Sequence, residues 1–128
     1  MADTSEEPFT IEVTRVGDDV DVIAVAGELD FNEAPGLART LEQLRGEGSR
    51  WFVLDLADLA FIDSSGINAL VVAAKATAAA GGAVIVASAR QHVQRVFDIV
   101  KLSELVPIEA GRDAALQRVA WRRELKAG

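Results

Sequence analysis

The chain contains no cysteine, which excludes disulfide staples, thiol catalysis and cysteine–zinc centres together and suits a reducing compartment. Basic residues are also short. Thirteen Lys and Arg against 20 Asp and Glu give a formal net charge of −7, the wrong sign for a ligand built on a phosphate backbone. Nucleic acid is therefore not expected as a partner, and the favoured partner surface is basic or apolar. The single histidine, His92, sits in a charged helical stretch, Arg90-Gln91-His92-Val93-Gln94-Arg95, and reads as an ordinary surface residue. Met1 to Glu7 has neither the basic nor the apolar region of a signal peptide and is expected to be disordered. No repeat, low-complexity tract or interdomain linker interrupts the sequence, and its 128 residues are expected to form one domain with a real core. The apolar stretch from Ser65 to Ala80 carries Asn68 and Lys75 and ends in Gly81-Gly82. It is expected to be a buried helix rather than a membrane span, so the protein is expected in the cytoplasm with no direct membrane insertion.

What is present is well patterned. Thr10 to Val16 alternates apolar and polar residues as a half-buried strand does, Gly17-Asp18-Asp19 forms a turn, and Val20 to Val25 alternates again. The two make a β-hairpin, closed by Gly27-Glu28-Leu29-Asp30. A helix is expected to begin shortly after Asn32, with Pro35 in its first turn, where a missing N–H costs nothing, and Leu37, Leu41 and Leu44 as its apolar stripe. Gly46-Glu47-Gly48 ends it. Trp51 to Leu56 is a nearly unbroken apolar run, expected as a central strand buried on both faces. After the Ser65–Ala80 helix come a strand at Ala83 to Ala87, a helix from about Arg90 to Val100, a short strand at Leu105 to Ile108 and a last helix from about Arg112 to Leu125. A leading hairpin followed by alternating helices and strands predicts an α/β fold on a mixed sheet.

Chemistry concentrates in Phe61-Ile62-Asp63-Ser64-Ser65-Gly66-Ile67, where the chain passes from the apolar run toward the long helix. A helix N-terminus presents unpaired N–H groups and partial positive charge, so a serine there can cap the helix, act as a nucleophile or accept a phosphate. Capping needs one residue, yet three candidates stand in line. Gly66 costs about 1 kcal/mol relative to Ala inside a first helical turn, and its missing side chain is expected to let the backbone of another molecule approach closely. A nucleophile elbow needs a glycine two residues before the serine; Ile62 stands there, and only His92 could serve as base. A phospho-receiver domain would begin with a βα unit and end its first strand with an acidic pair, whereas Asp18-Asp19 lie in a hairpin turn. Asp55, Asp58 and Asp63 lack the glycine-centred calcium loop and histidine partner of a metal site, and no phosphate-cradling motif is present. No metal, cofactor or enzymatic activity is expected.

Five elements in order, Gly27-Glu28-Leu29-Asp30, Phe52-Val53-Leu54-Asp55-Leu56, Ile62-Asp63-Ser64-Ser65-Gly66, Gly81-Gly82 and Val96-Phe97-Asp98, resemble those of STAS domains, and most of all bacterial anti-sigma factor antagonists. The resemblance covers about residues 9 to 120, so residues 1–128 are expected to be a single STAS domain. It implies a mixed β-sheet with a leading antiparallel hairpin, flanked by helices, and the serine turn at one exposed end. It further implies a protein that binds an anti-sigma factor when unphosphorylated and so frees a sigma factor. That partner is also an ATP-dependent serine kinase, and its modification of the serine directly after the aspartate switches binding off. The phosphoacceptor is then Ser64, with Ser65 as second choice, and a phosphoserine phosphatase is implied as a further partner. The partner-binding residues carried over are Asp30, Asp63, Ser64, Ser65, Gly66 and Asn68. Asn68 and Lys101 depart from the family, which commonly has glycine at each. The alternative is a STAS accessory or scaffold subunit of a lipid transporter or signalling assembly, using the same surface without reversible phosphorylation.

Overall fold

A computed structural model describes residues 8–127, so the expectation of disorder in 1–7 lies outside the described residues. Strand β1 (Thr10–Gly17) and strand β2 (Val20–Leu29) form the expected hairpin, antiparallel from Thr10↔Ala26 to Gly17↔Val20. Helix α1 (Ala34–Gly46), strand β3 (Trp51–Asp55), strand β4 (Leu59–Ile62) and helix α2 (Ser64–Ala79) follow. Strand β5 (Ala83–Ala87), helix α3 (Gln91–Ile99), a 3₁₀ turn at Leu102–Glu104, strand β6 (Ile108–Glu109) and helix α4 (Arg112–Ala127) complete the chain. The six-stranded sheet has the order β1-β2-β3-β5-β6, with β4 paired to β2; β1 is antiparallel and the other pairs are parallel.

Strand periodicity divides the core in two, because successive side chains point to opposite faces. Ile23, Val25, Phe52, Leu54, Val84 and Val86 point to the face covered by α1, α2 and α3. Val20, Val22, Trp51, Val53, Ala83 and Ile85 point to the face covered by α4 through Ala115 and Val119. All five residues of β3 are buried, as its apolar run predicts for a strand between β2 and β5. Close packing of β3 on β5 needs Gly82: a β-carbon there would lie 1.5 Å from the Arg50 carbonyl oxygen.

Three expectations are corrected. Strand β1 is largely exposed rather than half-buried, because it is an edge strand; Val13 and Val16 face solvent while Ile11 packs on the core. The last short strand lies at Ile108–Glu109, not Leu105 to Ile108, because Leu102–Glu104 winds into a 3₁₀ turn first. Strand β4 is additional. Its four residues take over from β3 along β2, with Gly27↔Leu59, Glu28↔Phe61 and Leu29↔Ile62 in register. β4 carries the Ser64 turn to the end of β2 and fixes it there.

Candidate functional site

The end of the sheet where β2 and β4 finish holds two short segments in contact. One is the turn from β2 into α1. Asp30 Oδ1 accepts from the backbone N–H of Asn32 (3.0 Å) and Glu33 (3.1 Å), closing the turn that starts α1. The other is the turn from β4 into α2. Asp63 is the N-cap of α2: it has extended backbone geometry, and its Oδ1 accepts from Ser65 N–H (2.9 Å) and Gly66 N–H (3.1 Å). Its second oxygen, Oδ2, accepts from Phe31 N–H at 3.2 Å, and Asp63 N–H donates to the Leu29 carbonyl at 3.3 Å. One carboxylate thus joins the two turns.

This arrangement resolves the redundancy of Asp63-Ser64-Ser65. The aspartate caps, and the serines do not. Ser64 is the first residue of α2 and is exposed; Ser65 is half-buried. Among the described residues no hydrogen bond engages either hydroxyl, whereas N–H groups behind them are already taken by Asp63. Asn68, one turn along α2, is exposed as well.

Gly66 has a different role from the one expected. It is buried, and the backbone that approaches it belongs to the chain itself. A β-carbon at Gly66 would lie 2.5 Å from the Leu29 carbonyl oxygen and 2.7 Å from Ile62 Cγ1. The glycine lets α2 start directly against the end of β2.

His92 lies near but not in the site. Its Nε2 is 2.6 Å from the Ala60 carbonyl oxygen, and Arg90 Nε donates to the Ala57 carbonyl at 3.0 Å, so the start of α3 braces β4 and the turn before it. Asp55 is held by Arg112 at 2.8 Å on the other face of the sheet and does not join Asp63. Among the described residues there is no group of three or more His, Asp or Glu that could hold a metal ion.

Two residues escape the sequence reading. Phe31, whose backbone N–H is bonded to Asp63, is 74% exposed, and Phe61, two residues before Asp63, is 46% exposed. A bulky aromatic in a turn next to a motif is a visible signal, but only the contact between the two turns gives it meaning.

Comparisons with known proteins identify the family and the fold. The STAS domain family model matches residues 11–115. The anti-sigma-B factor antagonist of Staphylococcus epidermidis is 29% identical over 100 residues, covering 78% of this chain and 93% of that protein. The anti-sigma-B factor antagonist of Bacillus subtilis is 28% identical over 109 residues, covering 85% and 98%. Among solved structures, an anti-sigma factor antagonist from Mycobacterium paratuberculosis superposes with a TM-score of 0.74 at 27% identity, over 88% of this chain and 95% of that one. The unphosphorylated anti-sigma factor antagonist SpoIIAA shares the fold, with a TM-score of 0.76 at 21% identity over 87% and 96%. No helix among the described residues is long and apolar enough to cross a membrane. With its sheet order, its capped serine turn and a profile match across most of its length, the chain belongs to the STAS domain family.

Proposed function

We propose that this protein is an anti-sigma factor antagonist whose association with its partner is switched at Ser64. Unmodified, the Ser64 turn docks an anti-sigma factor that is also a serine kinase, with Asp30, Asp63, Ser65 and Asn68 around it and Gly66 supporting the turn from beneath. A sigma factor is thereby released. Phosphorylation of Ser64 ends the association, and a phosphoserine phosphatase restores it.

The observation that carries this reading is the division of labour in the turn. Asp63 satisfies the helix N–H groups, so the exposed Ser64 hydroxyl has no structural duty to lose on modification. Phosphorylation adds about −1.5 to −2 charges. At a helix N-terminus that charge is locally favourable, so the fold survives it. The penalty falls on the complex: a dianion is desolvated against a surface shaped for a hydroxyl and beside the phosphates of the nucleotide that a kinase holds. A loss of about 3 kcal/mol weakens binding roughly a hundredfold, enough to invert occupancy. The alternative of a transporter or scaffold subunit gains nothing from the apolar character of α2, because Ala69, Leu70, Ala73 and Ala74 are packed inside the protein.

Incubation with the cognate kinase and ATP, followed by peptide mass analysis, is expected to place one phosphate on Ser64. Ser64→Ala is expected to bind the kinase constitutively and Ser64→Asp to lose at least tenfold in affinity. Phosphate only on Ser65, or wild-type affinity in Ser64→Asp, defeats the assignment.

A further inference from the structure

The five phenylalanines of this chain divide sharply. Phe52 and Phe97 are fully buried and Phe9 packs against the core. Phe31 and Phe61 are exposed; Phe31 lies on the turn from β2 into α1, and Phe61 in β4 just before the turn from β4 into α2. A single exposed aromatic on a surface is ordinary. Two on segments that lead into the same pair of joined turns are a different matter, because aromatic side chains dominate the energetics of protein interfaces.

The backbone beneath them is fixed before any partner arrives. Phe31 N–H is tied to Asp63 Oδ2, and the next two N–H groups are tied to Asp30 Oδ1. Phe61 sits in β4 opposite Glu28. Anchors on ordered backbone lose little freedom on association. The segments that carry them hold acidic charges only, and the nearest cation comes from the start of α3. Residues 16–38 and 51–74 contain no Lys or Arg; Glu28 is paired with Phe61, Asp63 holds Phe31 N–H, and Asp30 and Glu33 flank Phe31 in the chain. Arg90 and His92 bond to the Ala57 and Ala60 carbonyls, and Arg90 also pairs with Asp58 at 3.9 Å, so the acidic margin lies on the side of Glu28, Asp30, Glu33 and Asp63.

We infer that Phe31 and Phe61 are the apolar anchors of the surface around Ser64, and that they fit a protein partner with an apolar pocket rimmed by Lys and Arg. The inference rests on the reading under Proposed function and identifies what the anti-sigma factor must present: a cleft for two phenyl rings, with cations facing the acidic margin. Continuity with Ser64 and the sign of that margin select this occupant. A second copy of the chain would bring one acidic margin against another, and an anionic bilayer would be repelled for the same reason.

The test measures affinity for the purified anti-sigma factor kinase of the same organism. The variants are Phe31→Ala, Phe31→Leu, Phe61→Ala, Ser64→Ala and Ser64→Asp. Phe31→Ala is expected to weaken binding about 30-fold, in the range of an interface anchor, with an unchanged melting midpoint because its ring is exposed. Phe31→Leu is expected to recover part of the loss, and Phe61→Ala to cost about tenfold. The association rate is expected to fall as salt is raised. If Phe31→Ala binds within about twofold of wild type while Ser64→Asp loses binding, the anchors are wrong and the switch stands. A salt-independent rate overturns the basic rim. A wild-type chain that associates only with itself or with anionic vesicles overturns both the anchors and the switch beneath them.

Discussion

The two ends of strand β2 are built on opposite plans. At its start, polar groups are locked together. Asp21 is fully buried, yet it accepts from Arg15 Nε at 2.9 Å and from Ser49 Oγ at 2.5 Å, while the Arg15 guanidinium also donates to Ser49 Oγ at 2.9 Å. The hydrogen bond to Asp21 and the charge of that carboxylate hold the Arg15 guanidinium above its ordinary pKa. The three residues pin the hairpin to the turn between α1 and β3. At the finish of β2, one carboxylate holds two turns and leaves an exposed hydroxyl and two exposed phenyl rings facing outward. The first end spends its polar groups on itself and stabilises the fold. The second end withholds them, and what is withheld is available to a partner.

The largest way to break this comparison is Gly66→Ala. The added methyl meets the Leu29 carbonyl oxygen and the side chains of Ile62 and Leu29 at 2.5 to 2.9 Å, none of which can move freely. A cost of about 3 kcal/mol is expected, at the upper end for overpacking, measured as a lowered urea midpoint. Because the strain displaces the Ser64 turn itself, partner affinity is expected to fall more than the folded fraction does. If stability falls while the remaining folded protein binds normally, the site does not depend on the seating of α2 against β2.

Asp21→Asn tests the other end. The amide no longer supplies the charge that faces Arg15, and buried Ser49 loses its carboxylate acceptor. A loss of about 2 kcal/mol is expected from the weakened buried network, read as a shift in denaturation midpoint with an unchanged slope. Partner affinity, corrected for the folded fraction, is expected to stay at the wild-type value. A selective loss of binding in this variant would mean that the two ends communicate.

What the sequence discloses follows the same division. The hairpin, the two-sided burial of β3 and the position of Pro35 in the first turn of α1 are legible because each is decided within a few residues of itself. Capping by Asp63 is legible in type, since Asp and Ser both favour that position, but which of the three residues caps is settled by backbone geometry. Strand β4 is not legible: four residues directly after β3 and a turn carry no periodicity of their own, and they become a strand only by pairing with the end of β2. Gly66 shows the limit well. Its unusual place is evident, but whether the approaching backbone is foreign or the chain's own depends on Leu29, which is 37 residue positions away and brought there by that pairing (66 − 29). Phe31 enters the site by the same route.

The smallest effect sharpens the comparison by lying outside both ends. Lys101 follows α3 with φ 57° and ψ 43°, in the left-handed region that an L side chain adopts at a cost of roughly 1 kcal/mol. A glycine there would meet no such penalty. Lys101→Gly removes that strain but also frees the unfolded chain, which offsets part of the gain. The net is a stabilisation of about 0.5 kcal/mol, near 2 °C in melting temperature for a chain of this size. Lys101 is exposed and its backbone N–H closes the end of α3 on the Asp98 carbonyl at 3.2 Å, a bond that glycine keeps. The variant is therefore expected to melt slightly higher while binding its partner with wild-type affinity and accepting phosphate at Ser64 at the wild-type rate. If instead it changes partner affinity, the surface that recognises the partner extends from the Ser64 turn down α3 to the 3₁₀ turn, and the site is larger than the finish of β2.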